Sequence, residues 1–437
     1  MKELFKYFLK YLFSPTILLI SIFVFSLVFY KSEIVFHGLL RNYYIQYYII
    51  SIILILISIY SFFFNEKFKL NIFIIFFSIA FAVYLLEFGL IVSAKKFSNI
   101  SERKKLFSKF ELEFDDRSKM QIYEDLKKIN KDYVITVSPQ NYLKKKVELF
   151  PLSGVSNSPT IYCNENGYYS IYNSDRYGFN NPDEIWDFEN IEYLIVGDSF
   201  AQGACVNRPD DFTSIFRKLS NKNALNLGYS GNGPIREFAS LKEYMNLKKI
   251  KNVIWLFYSN DINDFKHEYK NALLKNYIID NDFKQNLHLK QNLIDKLVKN
   301  EILNSSKNFE KRNFFNLDSF IKLSKLRKKI QFENKEINDD FKKIIQLANK
   351  FSREKNANFY FVYLPSFEEI RSKRISKTYI NTKNLVNELE IPFVDIYDFL
   401  KKNMNYLDFF PLKMQGHYNE YGYKIIGKKI YQDLSKF

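Results

Sequence analysis

Four short stretches of this chain hold residue types that together could cleave or transfer an acyl ester. Gly197-Asp-Ser-Phe200 closes an apolar run and sets Ser199 where a hydroxyl can be exposed beside a helix amino-terminus. Asn226-Leu-Gly-Tyr-Ser-Gly-Asn-Gly-Pro234 carries Gly228, Gly231 and Gly233, which let backbone amides turn toward an anion. Tyr258-Ser-Asn-Asp-Ile-Asn-Asp264 holds the amide of Asn260 among acids, and Gly416-His-Tyr-Asn-Glu-Tyr-Gly422 holds His417, one of four histidines. Acyl transfer by a serine needs this set: a hydroxyl, an imidazole to take its proton, and donors aimed at the developing oxyanion. Taken singly, each stretch is equally well a helix cap, a turn, an Asx loop or a packed histidine. Their joint placement is what counts.

From residue 191 onward the pattern alternates strand and helix. Strands are expected at Leu194–Val196, Ala224–Leu227, Val253–Tyr258, Phe359–Leu364 and Pro392–Ile396, with helices near Asp210–Leu219, Ile235–Leu247, Asp340–Glu354, Thr382–Glu388 and Glu420–Leu434. Such alternation predicts an α/β domain with parallel strands and helices on both faces, and sites in these sheets lie beyond the carboxyl ends of the strands. Ser199, Gly231 and Asn260 each follow one of those ends. A lysine-rich, helical stretch at about 266–335 interrupts the rhythm and reads as an insertion, either a lid or a membrane-surface face.

The blocks Gly197-Asp-Ser199, Gly231, Asn260 and Gly416-His417, in this order, resemble the SGNH hydrolase superfamily, also called GDSL-like esterases, over about residues 191–437. The resemblance implies a flavodoxin-like three-layer α/β/α fold with a five-stranded parallel sheet. It implies Ser199 as nucleophile, His417 as base, and an oxyanion hole made by the Ser199 backbone N–H, Gly231 and Asn260. Two departures stand out. Ser259 occupies the position that commonly holds glycine before the asparagine, and Met414 occupies the position, three residues before the histidine, that commonly holds the orienting aspartate. Asp408 and Asp395 are the candidates to replace that acid, although neither matches the motif by position.

Residues 1–94 read as a transmembrane region, with charge-poor runs at about 11–30, 42–64 and 70–94, each long enough to span. Tyr43, Tyr44, Tyr47 and Tyr48 suit an interfacial belt, and Glu87, the one acid inside a run, is expected to snorkel to the interface. Lys2, Lys6 and Lys10 against Lys31 and Arg41 place the amino terminus inside and, after three spans, the large domain outside; the cations between Lys95 and Lys109 oppose that orientation. Residues 95–190 form a polar connector and a subdomain expected to pack on the catalytic unit. It includes an amphipathic helix over Asp115–Lys131, a hairpin around Asn164-Glu-Asn-Gly167 and an irregular loop over Asp175–Pro182.

The net charge of +16 comes from 64 Lys and Arg against 48 Asp and Glu, scattered with no basic block longer than three. A nucleic-acid partner is therefore not expected. Two cysteines, Cys163 and Cys205, exclude a four-cysteine zinc site, leave one disulfide open, and with the isolated His267 and His288 imply no metal; no cofactor is implied. The expected function is a membrane-anchored SGNH-type serine esterase or O-acyltransferase acting on acyl esters, acetyl among them, of an envelope carbohydrate or lipid. The alternative, motivated by Met414, is a catalytically inactive SGNH-fold glycan-binding or assembly protein. Oligomeric state is not legible.

Overall fold

The computed structural model describes residues 2–35, 38, 41–96, 99–145, 147–309, 317–330, 339–372, 375–402 and 405–437. The chain divides into two units, Met1–Ser98 with Asn313–Asn334, and Asn99–Arg312 with Lys335–Phe437.

The first unit contains three helices long and apolar enough to cross a membrane, over Lys10–Val35, Tyr44–Phe63 and Glu66–Val92. Large side chains such as Leu19, Phe63 and Phe76 lie exposed along them. The first two helices meet through small hydroxyl residues: Ser21 Oγ lies 2.8 Å from Ser58 Oγ, and Ser14 Oγ donates to Ser61 O at 3.0 Å. Small residues permit that close approach in an apolar setting. Glu87 does not snorkel. It is fully buried, and its carboxylate accepts the backbone N–H groups of Lys325 and Leu326 at 2.8 and 2.7 Å. Those donors lie in a helix, Ser324–Ile330, contributed by the stretch read as an insertion.

That stretch is not one piece. Ala272–Ile279 and Gln291–Phe309 are helices of the second unit, and Leu274, Tyr277, Ile294, Val298 and Ile302 are buried in its core. Only the later part leaves for the first unit.

The first sheet of the second unit is small and three-stranded: β1 (Val134–Ile135) pairs parallel with β2 (Pro159–Ile161), and β2 pairs antiparallel with β3 (Ile171–Asn173). The expected hairpin forms between β2 and β3, its tip closed by Gly167 N–H donating to Asn164 Oδ1 at 3.0 Å. The amphipathic helix occupies Lys119–Ile129, started by a capping box between Ser118 and Gln121. The loop at Asp175–Pro182 is ordered around the buried Asp175 carboxylate, which accepts from Tyr177 N, Phe179 N, Asn181 Nδ2 and Trp186 Nε1.

The main sheet comprises β4 (Asn190–Gly197), β5 (Ala224–Asn226), β6 (Lys249–Tyr258), β7 (Asn358–Leu364) and β8 (Phe393–Asp395), all parallel, in the order β5-β4-β6-β7-β8. Alternate residues point to opposite faces. Leu194, Val196, Val253, Trp255 and Phe361 join one core with the helices over 234–244 and 339–354, while Ile195, Ile254, Leu256 and Val362 join another with the helices over 212–220 and 420–434. Burial on both faces explains the near-continuous apolar runs of β4, β6 and β7. Numbered within the sheet, the order is second, first, third, fourth, fifth. That is the flavodoxin-like winding, whose switch point lies between the first and third strands, here β4 and β6.

Candidate active site

Ser199 stands at that switch point, on the first turn after β4. The turn is fixed by Asp198, whose Oδ1 accepts the Phe200 N–H at 2.8 Å. Burial raises the Asp198 carboxyl to about 6, and the Ser199 hydroxyl lies 3.4 Å from its Oδ2. The shorter contact is elsewhere. Ser199 Oγ lies 2.8 Å from His417 Nε2, across 218 residues of chain, and the imidazole packs on the ring of Phe200 with centroids 4.8 Å apart.

The acid behind His417 is neither sequence candidate. Asp408 Oδ1 pairs with Lys413 at 2.9 Å, and Asp395 Oδ2 accepts from Tyr379 Oη and Lys383 Nζ, each at 2.7 Å. Asp395 ends β8, three strands from β4, which at about 4.8 Å per strand puts it about 14 Å along the sheet from the serine's strand. The group that faces Nδ1 is Glu165, at the tip of the β2–β3 hairpin, with Oε1 at 3.2 Å. Its Oε2 also accepts the His417 backbone N–H at 2.6 Å. One carboxylate thus grips both ring and backbone.

The hairpin tip is anchored on both sides of Glu165. Cys163 and Cys205 are disulfide-bonded, Cα atoms 4.9 Å apart, a link that by loop-closure entropy contributes about 4 kcal/mol for its 42-residue separation. Arg103, nearly fully buried, donates from Nη1 to Glu165 O at 2.7 Å and from Nη2 to Gln415 O at 2.6 Å, tying the tip to the histidine loop. Gly416 is needed for this approach, because a Cβ there would fall on Glu165 Oε2 and Arg103 Nη2. Among the described residues Glu165, Cys205 and His417 also form a group whose ligand atoms lie within 4.8 Å of one another. With Cys205 oxidised and His417 held between Ser199 and Glu165, these donors serve the relay and do not suit a metal ion.

Electrostatics assign the tautomer. Burial opposes charge on Glu165, but the facing imidazole and the neighbouring Arg103 outweigh it and hold the carboxyl below its ordinary range. An ionised carboxylate only accepts, so Nδ1 carries the proton and Nε2 presents its lone pair to the serine. For His417 burial favours the neutral form; the Glu165 carboxylate overrides it, and the net shift is upward. A general base must be neutral to accept, so ester cleavage with His417 as its base would show kcat/KM falling as pH drops through a value above the ordinary 6.5 of imidazole. A pH–rate profile with its acid limb below 6.5 contradicts this arrangement.

Gly231 and Asn260 follow β5 and β6, the two strands that flank β4. Gly231 has φ of +77°, a left-handed conformation suited to glycine. Its carbonyl is held by Arg236, which forms a fully buried ion pair with Glu268; Glu268 also accepts the N–H groups of Gly233 and Ile235 at 2.7 and 2.8 Å. Asn260 Nδ2 donates to Asp264 Oδ2 at 3.1 Å, leaving one amide hydrogen for another acceptor, and Gln140 Nε2 secures Asp264 Oδ1 at 2.8 Å. Burial raises Asp264 to about 7. Residues 95–190 therefore supply Glu165 and Gln140, neither of which a motif signalled. The cysteine two positions before Glu165 was the one local hint.

No protein-family model and no curated protein matches this sequence. Among solved structures, a protein assigned to the lipolytic G-D-S-L family from Desulfitobacterium hafniense DCB-2 is similar, with 12% identity and a TM-score of 0.34 over 56% of this chain and 99% of that one.

Proposed function

We propose that this chain is a membrane-anchored serine ester hydrolase or O-acyltransferase of the SGNH type. Its substrates are acyl esters, acetyl among them, of an envelope carbohydrate or lipid. The observation that carries the reading is the relay Ser199 Oγ, His417 Nε2, His417 Nδ1, Glu165 Oε1, with steps of 2.8 and 3.2 Å at the switch point of a doubly wound sheet. In this reading Ser199 attacks the ester carbonyl as His417 takes its proton. The tetrahedral oxyanion is met by the Ser199 N–H, the Gly231 N–H and the second hydrogen of Asn260 Nδ2. Collapse expels the alcohol, which receives the proton from His417, and leaves an acyl group on Ser199. Water or a sugar hydroxyl, deprotonated by His417, then releases it. Glu165 stabilises the imidazolium formed in both halves.

The binding-only alternative rested on Met414 in place of an acid; the Glu165 carboxylate beside Nδ1 speaks for the catalytic reading instead. The Cys163–Cys205 disulfide supports an oxidising, extracytoplasmic location for the domain. The anchor is supported by the three apolar helices. The test is release of acetate from p-nitrophenyl acetate by full-length protein in nanodiscs, repeated with acetylated oligosaccharides and with free sugar acceptors. Acyl release by the native protein supports the reading. A rate no greater than that of heat-denatured protein overturns it.

A further inference from the structure

Residues 317–330 belong with the amino-terminal helices and not with the sheet that precedes and follows them in sequence. They form two short helices, Leu317–Ile321 and Ser324–Ile330, laid on the third apolar helix. Tyr84 Oη donates to Ile321 O at 3.1 Å, the Tyr84 and Phe320 rings lie 5.2 Å apart, and Glu87 accepts from Lys325 and Leu326 N–H. Tyr84 and Glu87, three residues apart, share one helix face.

The depth of this contact follows from length. The span Glu66–Val92 has 27 residues. At 1.5 Å per residue that is about 40 Å, overhanging a hydrocarbon core of about 30 Å by about 5 Å at each end. Glu87 lies five residues before Val92, hence roughly 7 Å in from the end and just inside the hydrocarbon boundary. Lys325 and Leu326, bonded to Glu87, are thus at the hydrocarbon boundary, while Ile321, bonded to Tyr84 eight residues before Val92, lies roughly 7 Å below it. The outward side of the two short helices carries Leu317 and Ile321, 61% and 58% exposed, beside the exposed cations Lys322, Lys325 and Arg327. Large apolar residues next to clustered cations at that depth match an acyl boundary below and anionic phosphates above.

We propose that residues 317–330 form an interfacial hairpin that binds the anionic lipid headgroups of the bilayer crossed by the amino-terminal helices. The inference rests on reading those helices as membrane spans. Glu87 is its socket: the carboxylate holds the hairpin by the backbone N–H groups of Lys325 and Leu326, not by a lysine or arginine head. A connection nominally within the catalytic unit is thereby read as a lipid-binding element.

The test uses full-length protein in nanodiscs with an environment-sensitive fluorophore on Ile321→Cys, the native cysteines being paired, and a control fluorophore on Phe76→Cys in the third span. Discs contain phosphatidylcholine alone or with phosphatidylglycerol, and carry nitroxides at the headgroup or in the acyl chain. Expected are acyl-chain quenching at position 76 in all discs and, at position 321 just below the headgroups, quenching by both nitroxides that strengthens with phosphatidylglycerol. Each cation at an anionic surface changes occupancy by on the order of fivefold, so Lys322→Glu with Lys325→Glu and Arg327→Glu should abolish the phosphatidylglycerol dependence. Quenching at 76 with none at 321, or quenching at 321 indifferent to phosphatidylglycerol, overturns the hairpin proposal alone. Absence of quenching at 76 overturns the membrane reading and this proposal with it.

Discussion

Ser199→Ala should reduce acetate release from p-nitrophenyl acetate by on the order of 10⁴-fold or more, leaving only the residual rate that the oxyanion donors and binding support, with no change in the unfolding transition. The side chain is only partly buried, and its hydroxyl contacts are His417 at 2.8 Å and Asp198 at 3.4 Å, so removing one oxygen empties little volume. His417→Ala should cost a similar factor, and the double variant should be no worse than either single one, because nucleophile and base act as a unit. Additive losses in the double variant would mean that the two residues do not share a step.

Glu165→Gln is the second large effect and the more discriminating. The substitution preserves shape but replaces a pure acceptor with an amide that can donate, so it no longer enforces the proton on Nδ1. Loss of the orienting carboxylate behind a catalytic histidine costs on the order of 10³- to 10⁴-fold in kcat where the wrong tautomer results, with KM little affected. The sign of the pH effect follows from the same contact. Glu165 is what lifts His417 above its ordinary pKa against burial, so its neutralisation should move the acid limb of kcat/KM to lower pH. Asp408→Asn and Asp395→Asn, by contrast, should leave kcat/KM within a fewfold of native, since those carboxylates pair with Lys413 and Lys383. A loss at either of these comparable to that at Glu165 would overturn the assignment of the acid.

The parts of this architecture that were legible in the sequence are those whose signal is local. Buried strands such as Leu194–Val196 and Phe359–Leu364 are short apolar runs; the structure extends the second by one residue and the first to Asn190–Gly197, where Asn190 and Glu192 interrupt the apolar run. The expected terminal helix, Glu420–Leu434, matches its observed bounds because Asn419 caps it. Glu165 was not legible because its role depends on a hairpin crossing 252 residues of sequence to meet His417, and because a Glu in an Asn-rich tip is indistinguishable from a solvated turn residue. Glu87 misled for a related reason. A lone acid near the end of an apolar run fits snorkelling until a distant helix brings two backbone donors to it. The stretch at 266–335 reads in sequence as one insertion because its lysine-rich composition is uniform, whereas its apolar residues divide between two units.

The most direct test of the central claim is covalent capture. Full-length protein treated with a fluorophosphonate should gain the mass of one phosphonyl group, mapped by peptide sequencing to Ser199. Labelling should slow by orders of magnitude in Glu165→Gln and be absent in Ser199→Ala. A native protein that gains no adduct, or one that gains it on any residue other than Ser199, contradicts the account.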